Sequence, residues 1–503
     1  MPAVVDTARP RTAANRRVGS ALVVLLAGIA ALGLGLVAAI SPALAVVGFF
    51  GMIAVGLLLP RGDLAVAAFA ASTYFEVVAA GPSLTPVKLL GGIVVVTAAL
   101  TVVVPSRERR ESAWRGCVPL LGLAVALAAW GISSIAWATN ASQVQTLSVR
   151  LVLDVLVFAS VPVLLRSTEN LRTLGWWIAG STLVAAGIGR AIGNETFGRA
   201  TGLFSDPNEF ASATVVGAAF AIALGESDGR NWVRWTGRLG AIAALVAVAT
   251  SASRTGMAAV LLAFLVLLVT ARGVERVRLA GMLGLGVAAM AAWLVLTPAG
   301  LLVTERLSDT DSTGRTDLWK VAVYQFQDEP VHGIGLGNYP VRSIEYLRRD
   351  VRNLDLFVRA PRTVHNTPLE LLAELGVVGF LLFYALVLGC VATVVRAMRR
   401  ARRARDESLV GACRGILAGI AALMGASLTL SGLYVELQWV LLGACVAAYA
   451  VSRERLATRI DVEASDALVP PTGLVGAGEA AGLLSNPASV GADAAQPFPG
   501  VTR

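Results

Sequence analysis

The chain has 503 residues, 56% of them hydrophobic and 15% charged, a balance that excludes a water-soluble globular protein, where about a quarter of residues are charged. Its formal net charge is +9, but the cations gather in short segments between apolar runs, which is a topological pattern and gives no reason to expect nucleic acid. With two histidines, His332 and His365, and four cysteines inside or at the ends of apolar segments, no metal centre and no cofactor are expected.

A helix of about 20 apolar residues crosses a hydrocarbon core of about 30 Å, and such runs recur along most of the chain. Predicted helices lie near residues 19–39, 43–60, 64–79, 85–104, 117–137, 148–165 and 171–189. A second set lies near 208–224, 238–251, 255–270, 279–297, 369–395, 409–430 and 434–452. The expected fold class is an all-α polytopic transmembrane bundle of 12–14 helices, since the second and third runs are short. Arg16 and Arg17 precede the first run, which is too long for the apolar core of a cleavable signal and should stay in the membrane.

Orientation follows from the arginines. Arg61, Arg107 to Arg115, Arg166, Arg172, Arg230 to Arg238, Arg272 to Arg278, Arg396 to Arg405 and Arg453 to Arg459 alternate with loops almost free of cations. The arginine side is therefore expected to be cytoplasmic, with both termini, in a cytoplasmic membrane of bacterial type. The chain is accordingly read as a cytoplasmic N-terminus (1–18), a first part of the bundle (19–297), an extracytoplasmic loop (298–368), a last part of the bundle (369–452) and a cytoplasmic tail (453–503). The two ends, poor in aromatics, are expected to be disordered. The loop is too long to be a mere connection, and the spacing of Leu318, Val321, Ala322 and Phe326 predicts short helices capping the bundle.

Several motifs fall on the outer side. In His365-Asn366-Thr367-Pro368-Leu369-Glu370, Thr367 is read as a helix N-cap, Pro368 as the first helical residue and Glu370 as the acid of a capping box. His365 then sits at the positive end of a helix dipole, which attracts anions and keeps an imidazole neutral, as a general base requires. Ser205-Asp206-Pro207-Asn208-Glu209 repeats the same start, with Asp206 or Ser205 as cap; capping leaves Arg199 and Asn208 unexplained. Arg254, in Ser251-Ala252-Ser253-Arg254-Thr255-Gly256, follows a run from Arg238 to Thr250 that is too short to cross the core, which places the arginine somewhat below the outer surface. Arg315 opens a helix in Thr313-Gly314-Arg315-Thr316-Asp317-Leu318-Trp319. Gly333-Ile334-Gly335-Leu336-Gly337-Asn338 lacks both the preceding strand and the lysine of a phosphate loop and is read as a flexible connector.

Taken in order, these motifs over about residues 180–390 resemble the O-antigen ligase and O-antigen polymerase-like membrane glycosyltransferases. The resemblance implies an all-helical bundle that takes a glycan from a polyprenyl pyrophosphate donor and passes it, without a metal, to the hydroxyl of a glycan or lipid acceptor at the outer face of the bilayer. It also implies roles. His365 looks like the family's essential histidine, the proposed base, and Arg254 and Arg315 resemble the arginines proposed to hold the pyrophosphate. Arg199, Asn208 and Asn366 are the accompanying candidates for substrate binding. The alternative from another class is a multi-pass transporter of a small solute or anion, whose site would lie near the midplane on broken helices. A scaffold with a degenerate site is a third reading, opposed by the retention of His365, Arg254 and Arg315.

Overall fold

The structure, a computed structural model, describes residues 53, 56–76, 85–103, 113–196, 198–297, 300–301, 304, 315–346, 363–433 and 435–468, the side chains of 461–468 excepted. The chain divides into two compact units, residues 1–456 and 457–503, and all contacts described below lie within the first. The predicted helices at 19–39 and most of 43–60, the N-terminus and the last part of the tail lie outside the described residues.

Apolar composition drives almost every described segment into helix, because a backbone in lipid must satisfy its own hydrogen bonds. In chain order the long helices are α1 (Gly62–Ser72), α2 (Pro86–Val103), α3 (Val118–Ser133), α4 (Ala141–Leu164), α5 (Thr168–Ala191), α6 (Pro207–Ser227), α7 (Asn231–Thr250), α8 (Arg254–Thr270) and α9 (Gly273–Leu296). After them come the shorter α10 (Arg315–Asp328) and α11 (Tyr339–Arg342), then α12 (Thr367–Arg403), α13 (Glu407–Ala426) and α14 (Glu436–Leu468). A hairpin of two short strands, β1 (Glu195–Thr196) and β2 (Arg199–Ala200), follows α5. Among the described residues, eight helices are long and apolar enough to cross a membrane, and α1 and α8 are shorter apolar helices.

The centre of the bundle is α6 packed on α13, each buried over 89% of its apolar window. Small residues allow this approach, as is usual where lipid removes the hydrophobic drive between helices. A Cβ on Gly415 of α13 would stand 2.4 Å from the ring of Phe220, and on the neighbouring α7 one on Gly237 would stand 2.3 Å from the carbonyl oxygen of Ala221. At the periphery, α9 buries only 6% of its window. It presents Val277, Leu285, Val295 and Leu296 outward.

The two ends of the bundle differ chemically. At the end where α6 stops and α7 starts, Glu226 meets Arg238 at 2.6 Å and Asp228 meets Arg172 at 2.7 Å. Hydrogen bonds from Arg230 and Arg172 hold the Asp228 carboxyl well below the usual carboxylate range. The loops on this side carry the arginines that the sequence groups together. The starts of α6, α8 and α12 lie at the other end.

Three expectations need correction here. The helix before Arg254 starts at Asn231, not Arg238, and its 20 residues span about 30 Å; Arg254 is exposed at the start of α8, so the argument for depth falls. The last helix continues past 452 to Leu468, so the tail is ordered at its beginning. The glycine-rich segment is no flexible connector: Gly333 to Tyr339 are all buried and are bound to α12.

That binding explains an irregularity in α12. Gly376, at φ 64° and ψ −167°, interrupts the helix, and a Cβ there would lie 2.2 Å from the Val331 carbonyl oxygen. Several backbone groups beside the break are taken up by neighbouring segments. Trp130 Nε1 donates to Leu375 O at 2.9 Å, while the amides of Ile334, Gly335 and Val377 pair with Ala373 O, Glu374 O and Pro330 O. Only residues able to adopt positive φ pass so close to a helix, and Gly333, Gly335 and Gly337 all do so.

Candidate functional site

Three helix starts and one hairpin meet at the end of the bundle opposite the paired arginines. Asp206 caps α6, its Oδ1 accepting from the amides of Asn208 at 2.6 Å and Glu209 at 3.2 Å, with Pro207 in the first turn as expected. Ser253 caps α8 by accepting from Gly256 N at 3.0 Å. Its own hydroxyl donates to Asn208 Oδ1 at 2.7 Å, which ties the two starts together. Arg199 on β2 completes the tie, donating through Nε to Ser251 O at 2.8 Å and through Nη2 to Asn208 Oδ1 at 3.0 Å. Arg199 and Asn208 thus brace the corner from which Arg254 projects.

The third start is that of α12, and here the structure departs from the predicted capping box. The cap is Asn366, whose Oδ1 accepts from Leu369 N at 3.0 Å. Thr367 is the first helical residue. The Thr367 hydroxyl turns to the loop after α13, donating to Leu430 O at 2.8 Å and accepting from Gly432 N at 2.7 Å. Asn366 Nδ2 donates to Leu428 O at 2.9 Å in the same loop. Thr255, next to Arg254, meets the hydroxyl of Thr429 at 2.5 Å. Residues 427–432 are therefore the common support on which the His365–Asn366 and Arg254–Thr255 corners both rest.

Arg315 joins them from outside. It opens α10, which packs on the first turns of α12 through Leu318, Val321 and Ala322 against Ala373 and Leu369. Burial draws the pKa of Arg315 below its ordinary value; Asp206 opposes that shift and Arg254 reinforces it. The two guanidiniums thus share one electrostatic neighbourhood with Asp206, and arginine remains charged despite such shifts. On the other flank, Glu76 accepts from the Ser205 hydroxyl at 3.1 Å, and Glu436 pairs with Arg150 at 2.9 Å. Glu76 thus adds an acid beside the cationic corner, while the charge of Glu436 is already met by Arg150.

Backbone strain marks the same corners. Ala252 and His365 have φ of 48° and 51°, and among the described residues only Arg405 joins them as a non-glycine at positive φ. Such conformations cost on the order of 1–3 kcal/mol and collect at functional positions. His365 is half-buried immediately before the cap of α12.

Reading the sequence did not single out Glu374. Its carboxylate is 3% exposed and accepts from Gly337 N at 2.7 Å and Tyr339 N at 3.2 Å. Glu370, one turn earlier, is also buried, and one of its oxygens has no hydrogen-bond partner; with Asn366 as the cap it stands one residue past the acid position of a capping box. Burial, together with these two carboxylates, pushes the Tyr339 hydroxyl far above its ordinary pKa, so it stays a neutral donor to Leu318 O at 2.8 Å. Two acids spaced by four in an otherwise apolar run were the available signal. Glu374→Ala would strand two buried amides at about 1–3 kcal/mol each. We expect it to lower the thermal unfolding midpoint of the purified protein clearly, and Glu374→Gln, which keeps one acceptor, to lower it less. An unchanged midpoint for Glu374→Ala would remove this role.

Residues 239–384 match the family model described as O-Antigen ligase. Arg254, Arg315, His365 and Asn366 fall inside the match; Arg199 and Asn208 lie upstream and are hydrogen-bonded into it. No curated protein matches the chain. The many apolar helices make this a multi-pass membrane protein, and its segment 239–384 is similar to the O-antigen ligase family.

Proposed function

We propose that this O-antigen ligase-like membrane protein transfers a glycan from a polyprenyl pyrophosphate donor to an acceptor hydroxyl, outside the cytoplasmic membrane and without a metal. The observation that carries the reading is the seating of the Arg254 and His365 corners on the same 427–432 loop, with Arg315 close enough to Arg254 and Asp206 to feel both charges. His365 takes the proton of the acceptor hydroxyl, and the resulting oxygen attacks the anomeric carbon. The bond from that carbon to the pyrophosphate oxygen breaks, and the leaving group collects its charge against Arg254 and Arg315, whose guanidiniums can chelate phosphate oxygens. Arg199 and Asn208 serve by fixing the Arg254 corner, and Asn366 by fixing the turn that carries His365. Glu76, beside the cationic corner, is suited to accept hydrogen bonds from sugar hydroxyls.

One observation speaks for the transporter alternative: α12 is a broken helix, as transporter sites often are. Its break, however, is filled by Trp130 and the 330–337 segment, which leaves no solute path there. Purified full-length protein in liposomes, given labelled lipid-linked glycan and an acceptor, tests both readings. We expect transfer of label to the acceptor, undiminished by EDTA. Accumulation of a soluble solute without transfer would establish the transporter, and loss of transfer in EDTA restored by magnesium or manganese would overturn the arginine mechanism.

A further inference from the structure

At the opposite end of the bundle from the candidate site, where α8 ends and α12 ends, a cavity of about 360 Å³ is lined by Arg272, Arg399, Arg402 and Arg403. A positive flank is ordinary at this side of a membrane protein, but a concave pocket with four converging arginines is more than a flank requires. Two carboxylates, Glu407 and Glu275, act on Arg402 from nearby. Arg402 donates to Thr270 O, and Arg276 donates to Ala271 O at 2.8 Å, so these two satisfy carbonyls at the end of α8. Behind the pocket Arg414, 2% exposed, pairs with Glu275 and donates to Leu267 O at 3.0 Å. The nearby carboxylate of Glu275 is thereby committed to Arg414. Arg272, Arg399 and Arg403 stay exposed around the opening.

The walls beside the opening are apolar. Val269, Val274 and Val277, on the ends of α8 and α9 that flank Arg272, are 66%, 66% and 72% exposed, and α9 itself is almost wholly uncovered by protein. A phosphate held by the arginines would have hydrocarbon-compatible surface directly alongside it. A free phosphate has no use for that surface, whereas an anionic phospholipid has both parts. We propose that the Arg272, Arg399, Arg402 and Arg403 cavity binds the phosphate headgroup of an anionic lipid, with its acyl chains lying along Val269, Val274 and Val277. Arginine forks bind phosphate oxygens in pairs, and basic pockets between spanning helices select anionic headgroups. The inference is independent of the transfer reaction.

The test is native mass spectrometry of the full-length protein released from nanodiscs containing equal phosphatidylglycerol and phosphatidylcholine. We expect retained phosphatidylglycerol, reduced about tenfold in Arg399→Gln with Arg403→Gln, since each lost charge-assisted pair is worth a substantial part of such a factor. Arg61→Gln with Arg115→Gln, which removes two arginines outside the cavity, should retain it in full. Equal loss in the two double variants, or no preference over phosphatidylcholine in the wild type, overturns the proposal. Displacement of the lipid by millimolar inorganic phosphate would assign the cavity to a soluble anion and overturn the lipid assignment. Thermal unfolding in pure phosphatidylcholine nanodiscs guards against misfolding; if the cavity variant is unstable there, Val274→Glu, which makes the acyl wall polar, is expected to lower retention in its place, and full retention in it overturns the proposal.

Discussion

Replacing His365 should abolish glycan transfer while leaving affinity for the lipid-linked donor nearly intact. A general base acts in the transition state and contributes little to ground-state binding, so its loss appears in turnover, by about 100- to 10,000-fold. The backbone complicates the choice of variant. His365 stands at φ 51°, a conformation that costs alanine more than it costs asparagine. His365→Asn is therefore the sharper test, because it tolerates the turn and removes the basic nitrogen, and His365→Ala should match it in turnover if the base is what matters. Single-turnover rates and donor binding on folded, membrane-inserted protein separate the two contributions. Transfer by His365→Asn within about tenfold of wild type would lie below the usual worth of a base and would reduce His365 to a hydrogen-bonding residue of the turn.

Arg254→Lys should lose most of the activity although it keeps the charge. A lysine ammonium is a point charge on a flexible stem and cannot grip two phosphate oxygens in one plane. Stabilisation of a leaving group by an oriented donor is worth about 100- to 1,000-fold in turnover, and we expect a fall of that order. Arg254→Ala should go further and weaken donor binding as well, since charge neutralisation is lost in the ground state too. This signature differs from that of His365, where binding is spared. Arg254 is exposed at the first position of α8, and the cap of that helix belongs to Ser253, so neither change should unfold the helix. Activity of Arg254→Lys close to wild type would mean that Arg254 supplies diffuse charge and not a fork.

Arg199→Ala would act through a different link in the chain, because its guanidinium spans Ser251 and Asn208 and so supports the corner from which Arg254 reaches out. That bracing role was not legible in the sequence, where Arg199 and Asn208 stood out only as polar residues that capping did not explain. The hydrogen bonds that define it cross from a hairpin to the start of α6 and the end of α7, 9 and 52 residues away.

The sequence by itself determined what depends on nearest neighbours and on the solvent. Helical segments followed from unbroken apolar runs, because lipid forbids unpaired backbone; Asp206 capping α6 and the short helix α10 followed from local grammar. Tertiary structure decided everything that required two distant segments to share a residue's capacity. Asn366 took the cap that Thr367 was expected to hold because the 427–432 loop claimed the Thr367 hydroxyl. Glu370 left the capping box because the move of the cap to Asn366 puts it one residue beyond the acid position. The segment read as a flexible connector is fixed because a break at Gly376 leaves the carbonyls of Ala373 and Glu374 to accept from Ile334 N and Gly335 N. A local pattern lists the hydrogen bonds a residue could make, and packing decides which partner arrives first, since each buried donor and acceptor must be satisfied once the bundle closes.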